Sequence, residues 1–114
     1  MAQLVALAYP VLPGSEGQAR NFVSEVKDRK KELEKSARNR KVRKEAWFLQ
    51  QLPESSTLIL FMETDDVGKA ISDFAQSKDS FDVWLRQSAE RITGMDFSQP
   101  RRDPYPELLL SHGF

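Results

Sequence analysis

Thr57-Leu58-Ile59-Leu60-Phe61-Met62-Glu63 places five apolar side chains in unbroken succession. β-branched, aromatic and long aliphatic residues suit a pleated strand, and a strand sends successive side chains to opposite faces. Apolar residues at every position therefore require cover on both faces of the sheet that holds this strand. A chain of 114 residues has room for one domain built from few layers. The double-sided demand thus limits the architecture more than any other feature, and residues 1–114 are read as one domain.

The neighbouring segments repeat the demand. Gln3 to Val11 reads as a strand with Val5, Leu7 and Tyr9 on one face and Leu4, Ala6 and Ala8 on the other, ended by Pro10, Pro13 and Gly14. Glu45-Ala46-Trp47-Phe48-Leu49-Gln50-Gln51 reads as a strand joined to 57–63 through the polar turn Pro53-Glu54-Ser55-Ser56. Between the first two strands, Ala19, Phe22, Val23, Val26, Leu33 and Ala37 recur at three- and four-residue steps, which predicts one long amphipathic helix over Ser15–Arg40 with Ser15 as N-cap. Lys30 falls where that stripe calls for an apolar residue. After the third strand, Thr64 and Asp65 or Asp66 can cap a helix over Val67–Ser77. Asp79 or Ser80 then restarts helix as far as Gly94. Residues 95–106 hold three prolines and two adjacent arginines and read as a loop, with Glu107–His112 as a last short strand.

The order is β-α-β-β-α-β, which predicts an α+β, ferredoxin-like domain with a four-stranded antiparallel sheet and helices on one face. Those helices cover one face only. The apolar set on the other needs the C-terminal segment or a second subunit. A homodimer closing two sheets face to face is the expectation.

Composition narrows the chemistry mostly by exclusion. The chain has no cysteine and one histidine, so disulfides and thiol catalysis are out, and no metal or other cofactor is expected. There is no Gly-rich phosphate loop and no nucleophile-elbow motif. No apolar run approaches the roughly 18–20 residues that span a bilayer, and Met1–Gly14 lacks a basic leader pattern, so no membrane contact and a cytoplasmic location are expected. The zero net charge hides an asymmetry. Residues 27–44 carry ten basic against three acidic side chains, or +7, and the remaining seven basic and fourteen acidic give −7. Glu32 and Glu34 interrupt the basic run and no aromatic interleaves it before Trp47, a pattern of a solvated helix face more than of a nucleic-acid contact. Nucleic-acid or anionic-surface binding through 27–44 stays as a further alternative.

Val11-Leu12-Pro13-Gly14 entering the first helix, Glu45–Gln50 as the second strand, Phe61-Met62-Glu63-Thr64-Asp65-Asp66 leading into the second helical region and the closing Glu107-Leu108-Leu109-Leu110 together resemble the dimeric α/β-barrel superfamily. Within it the chain is similar to a small family of unknown function related to antibiotic-biosynthesis monooxygenase-like proteins. The resemblance spans most of the chain except 95–106. It implies a homodimer with a cavity between sheet and helices and, in some relatives, oxygenase or isomerase activity. It transfers no catalytic residue. Haem-degrading relatives place a histidine on the second helical region, and members of the uncharacterised family often carry one just after it, where this chain reads Ser77-Lys78-Asp79.

Two residues are candidates for acid–base work. His112 titrates near neutral pH unaided, and Glu63 shares a strand face with Ile59 and Phe61. Against them stand an exposed terminal histidine and a rim carboxylate paired with an arginine. Tyr9, Trp47, Phe61 and Trp84 are candidates to line an apolar ligand pocket, against plain core packing. Arg101, Arg102 and Tyr105 can bind an anion as a lid, against a solvated linker. Two functional readings follow: a non-enzymatic small-molecule-binding or interaction module, and a cofactor-free monooxygenase or isomerase acting on a small apolar or aromatic substrate.

Overall fold

Three segments with strand composition pair into one antiparallel sheet. In the computed structural model, which describes residues 2–99 and 104–113, β1 (Gln3–Val11), β2 (Val42–Gln51) and β3 (Ser56–Thr64) lie in the order β1-β3-β2. The central strand is the doubly apolar β3, the position that has to satisfy both neighbours. Its register is continuous along β1, from Gln3 opposite Thr64 to Val11 opposite Ser56. Along β2 the register shifts between Val42 and Lys44, so Arg43 is the extra residue of a bulge. Lys41, which turns the chain into β2, has φ 61°, and Thr64 Oγ1 donates to its carbonyl at 2.9 Å.

Four helices accompany the sheet: α1 (Glu16–Asp28), α2 (Lys30–Asn39), α3 (Val67–Gln76) and α4 (Ser80–Thr93). The single helix expected over Ser15–Arg40 is two, because Arg29 leaves helical geometry at φ −112°, ψ 33°. Arg29 instead lays its guanidinium over Phe81 and Trp84, 4.9 and 4.6 Å from the ring centroids, and donates to Glu32 at 2.7 and 2.9 Å. Lys30, the break in the apolar stripe, stands next to this joint. Ser15 occupies the N-cap position of α1 without a side-chain capping bond. Asp66 and Asp79 do cap, accepting from the amides of Lys69 and Phe81. At the far end of α4, Gly94 adopts φ 73°, and a Cβ there would stand 3.1 Å from the Leu12 side chain. The left-handed φ favours glycine, and a side chain there would also have to displace Leu12 by a few tenths of an ångström.

All the helices bury their apolar stripes on one sheet face. Val11 and Leu58 pack with Ala19, Phe22, Val26, Phe81, Leu85 and Ile92, while Val5, Leu7, Val42 and Met62 pack with Val67 and Ala70. The expected fourth strand is not formed: residues 104–113 carry no regular secondary structure and are exposed throughout, so the sheet among the described residues has three strands. Pro104 and Pro106 lack amide donors, and Leu108, Leu109 and Leu110 find no buried face within the subunit, being 53, 85 and 86% exposed. No helix among the described residues is long and apolar enough to cross a membrane.

Candidate functional site

Side chains that alternate to the covered face of the sheet meet α3 and α4 incompletely and leave a cavity of about 110 Å³. β1 supplies Leu7 and Tyr9 to its wall, β2 Glu45 and Trp47, and β3 Leu58, Leu60 and Met62. The helices add Phe22, Arg40, Ile71, Phe74, Leu85 and Ala89, and Phe97 follows from the segment after α4. An engineered enclosed cavity of about 150 Å³ takes up benzene, so this smaller space, which is partly open to solvent, surrounds a compact group whose remainder reaches its mouth, and not an extended ligand.

Aromatic contacts set its shape. Tyr9 meets Phe97 edge to face at 5.0 Å, and Phe22 stacks on Trp47 at 5.6 Å. The polar ends of the lining are also held. Glu45 Oε1 accepts from Trp47 Nε1 at 2.9 Å, which fixes both the carboxylate and the indole. Arg40, at the C-cap of α2, is only 9% exposed and lies over the Phe74 ring at 5.1 Å.

Behind Arg40 runs a buried chain of polar groups. Arg40 Nε and Nη2 donate to Ser36 Oγ at 3.3 and 3.2 Å, Ser36 Oγ donates to Asp82 Oδ1, and Ser77 Oγ donates to Asp82 Oδ2 at 2.6 Å. These bonds join α2, the α3–α4 junction and α4. Both oxygens of the Asp82 carboxylate are satisfied in this way, whereas the Arg40 guanidinium has one neutral hydroxyl as its hydrogen-bond partner. Arg86 completes the arrangement around Phe74, donating from Nη1 to its carbonyl at 2.6 Å.

The structure separates the residues singled out from the sequence. Tyr9 and Trp47 line the cavity together. Phe61 lies on the opposite face of the sheet, beside the C-terminal segment, where Leu4, Ala6 and Leu108–Leu110 line a groove of about 520 Å³ with it. Trp84 packs among Phe22, Phe81 and Arg29 against the helix–sheet core and does not line the cavity. Glu63 sits on the open face with Arg43 Nε 3.6 Å from its carboxylate, the rim ion pair weighed against a catalytic role. His112 lies in the exposed C-terminal segment, and no hydrogen bond or ion pair joins it to Glu63. Tyr105 is exposed in the same segment, and Arg101 and Arg102 lie outside the described residues. The +7 segment is partly consumed by the fold: Arg29 stacks on aromatics, Arg40 is buried, and Arg43 donates to Asp65 at 2.6 Å. No group of three or more histidine, aspartate or glutamate side chains suited to a metal ion exists among the described residues.

Arg40, Glu45, Ser36 and Asp82 were not picked out from the sequence. Arg40 sits inside a basic run that reads as solvated, and a buried arginine carries no local signature. Asp82 carried a faint signal, since it falls on the apolar side of α4, one residue after Phe81 and three before Leu85.

A small α+β domain with a three-stranded antiparallel sheet, helices on one face and a compact apolar cavity is the class these features define. The chain belongs to DUF6176, a family of unknown function, whose profile matches residues 2–112. No curated protein and no solved structure matches it.

Proposed function

We propose that the chain is a small-molecule-binding module that works as a homodimer in the cytoplasm, with one cavity per subunit between sheet and helices. The observation that carries this reading is the cavity itself, apolar in most of its lining, with five aromatic side chains and one cationic and one anionic one. Ligand sites combine an apolar wall with a few placed polar groups in this way. The homodimer is supported by the other side of the sheet. Strand alternation puts Ala6, Ala8, Ala46, Phe48, Ile59 and Phe61 there, with no helix over them and Phe48 55% exposed. Two such faces closing on each other would complete a ferredoxin-like α/β barrel and give Leu108–Leu110 a surface to bury against. Native mass spectrometry of the purified chain tests both parts. A doubled mass and a co-purifying small molecule are expected; an empty monomer at micromolar concentration would sink the reading.

Glu45 favours a second reading, that of a cofactor-free monooxygenase or isomerase. It is a half-buried carboxylate in an apolar cavity, a place where a proton can be taken from a small substrate. Neither Glu63 nor His112 lines that cavity, so the proton transfer in this reading passes to Glu45. Turnover of a bound ligand that disappears in Glu45→Gln would select it.

A further inference from the structure

Arg40 is the most unusual charge in the molecule. A guanidinium that is nine-tenths buried ordinarily faces a carboxylate, because an uncompensated charge away from water is costly. Among the described residues no carboxylate oxygen lies within 4.0 Å of it. Its hydrogen bonds go to one neutral hydroxyl, Ser36 Oγ, at the long distances of 3.2 and 3.3 Å, from Nε and Nη2. Asp82 supplies negative charge at one remove, through that serine. Nη1 makes no hydrogen bond to a described residue and is the accessible end of the group, since no buried side-chain nitrogen or oxygen among the described residues lacks a partner, and the side chain forms part of the cavity wall.

Building on the binding reading above, we infer that the cavity receives a small monocarboxylate with a compact aromatic or branched apolar group, its carboxylate seated on the Arg40 guanidinium. Arginine suits a planar carboxylate because its donors form a rigid fork, and the bond strengthens where water is excluded. Phe22, Trp47 and Phe74 then face the apolar group. Glu45 sets the charge limit. It lines the same cavity with its carboxylate pinned by the Trp47 indole, so a second negative charge on the ligand would meet it without a further cation to offset it. One net negative charge is therefore preferred over two, which separates a monocarboxylate from a dicarboxylate or a phosphate ester.

Calorimetric titration of the full-length chain with benzoate, benzamide and phenylphosphonate tests this, with the Trp47 indole N–H followed by NMR. Benzoate is expected to bind and to shift the indole resonance, benzamide to bind at least about tenfold more weakly, and the dianion to bind more weakly than benzoate. Arg40→Gln should erase the preference of benzoate over benzamide, and Ala89→Phe, which fills the cavity from α4 without touching the Ser36–Asp82 chain, should abolish both. Should Arg40→Gln fail to fold, Glu45→Gln gives the reading instead, since it should improve phenylphosphonate relative to benzoate. Equal affinity for benzoate and benzamide would overturn the carboxylate assignment while leaving the cavity a binding site. Absence of binding by either would overturn both.

Discussion

The two faces of one sheet are built from the same three strands and meet opposite fates. On the covered face Leu7, Met62 and Val5 are 1, 2 and 5% exposed, packed by helices of their own chain. On the open face, one residue along, Ala6 and Ala8 of β1 and Phe48 of β2 are exposed, and Ile59 and Phe61 of the central β3 are half-buried. Neither face is polar. The contrast shows that apolar composition states a need for burial without saying which surface meets it. Intrachain helices meet it on one side, and on the other no helix among the described residues does.

The contrast can be broken first on the covered side. Phe81, 2% exposed between α1, α2 and the sheet, should cost about 3–5 kcal/mol as Phe81→Ala, read as a lower urea midpoint with little change in slope. A loss under about 1 kcal/mol would mean that this side is not the core. Next comes Asp82→Ala, which leaves Ser36 and Ser77 without an acceptor and Arg40 without its relayed countercharge. It should cost about 2–4 kcal/mol, less than the sum of separate losses when combined with Ser36→Ala, since the two act through one bond.

The open side predicts a different kind of response. Phe48→Glu should change the stability of the isolated subunit by under about 1 kcal/mol, because the side chain is 55% exposed. Light scattering should nevertheless report 13.1 kDa for the variant and twice that for the parent. A monomeric parent would remove the argument that the open face is covered by a second copy. The capping carboxylate of Asp66, which accepts from the Lys69 amide at 3.0 Å, belongs to neither face, and Asp66→Ala should cost about 1 kcal/mol by thermal melting.

The smallest effect is electrostatic. The hydrogen bond from the Arg29 guanidinium holds the Glu32 carboxyl below the usual glutamate range. A carboxyl depressed by folding contributes stability above its unfolded pKa, and that contribution fades as pH falls through the folded one. Arg29→Gln should raise the Glu32 midpoint toward that of an ordinary glutamate in an NMR titration and slightly flatten the acid side of the stability curve. An unchanged midpoint would show that the pair is not formed in solution.

Much of the framework was legible in residue order. The strand cores around Leu7, Trp47 and Leu60, the caps at Asp66 and Asp79 and the stop at Gly94 are local matters of alternation, side-chain reach and backbone freedom. The joint at Arg29 was visible only as a polar residue, Lys30, in an apolar stripe. The cavity was half legible: Tyr9 and Trp47 could be proposed from size and strand position, but Phe61 went to the other face of the sheet and Trp84 into the core beside Phe22 and Phe81. Their destinations depend on which side the helices settle and how α4 turns, and neither is encoded within a few residues of them.

Local order in the chain thus determined which residues make strands and helices and which side chains share a face, because period and capping are short-range properties. Only the tertiary structure decided that Arg40 and Asp82 go inside and that Glu45 faces a cavity. It also decided that Glu63 goes to a rim ion pair and that 107–112 remains outside the sheet. Burial of a charge is a property of everything packed around it, and those neighbours arrive from segments far apart in sequence, as Ser36 and Asp82 do across 46 residues.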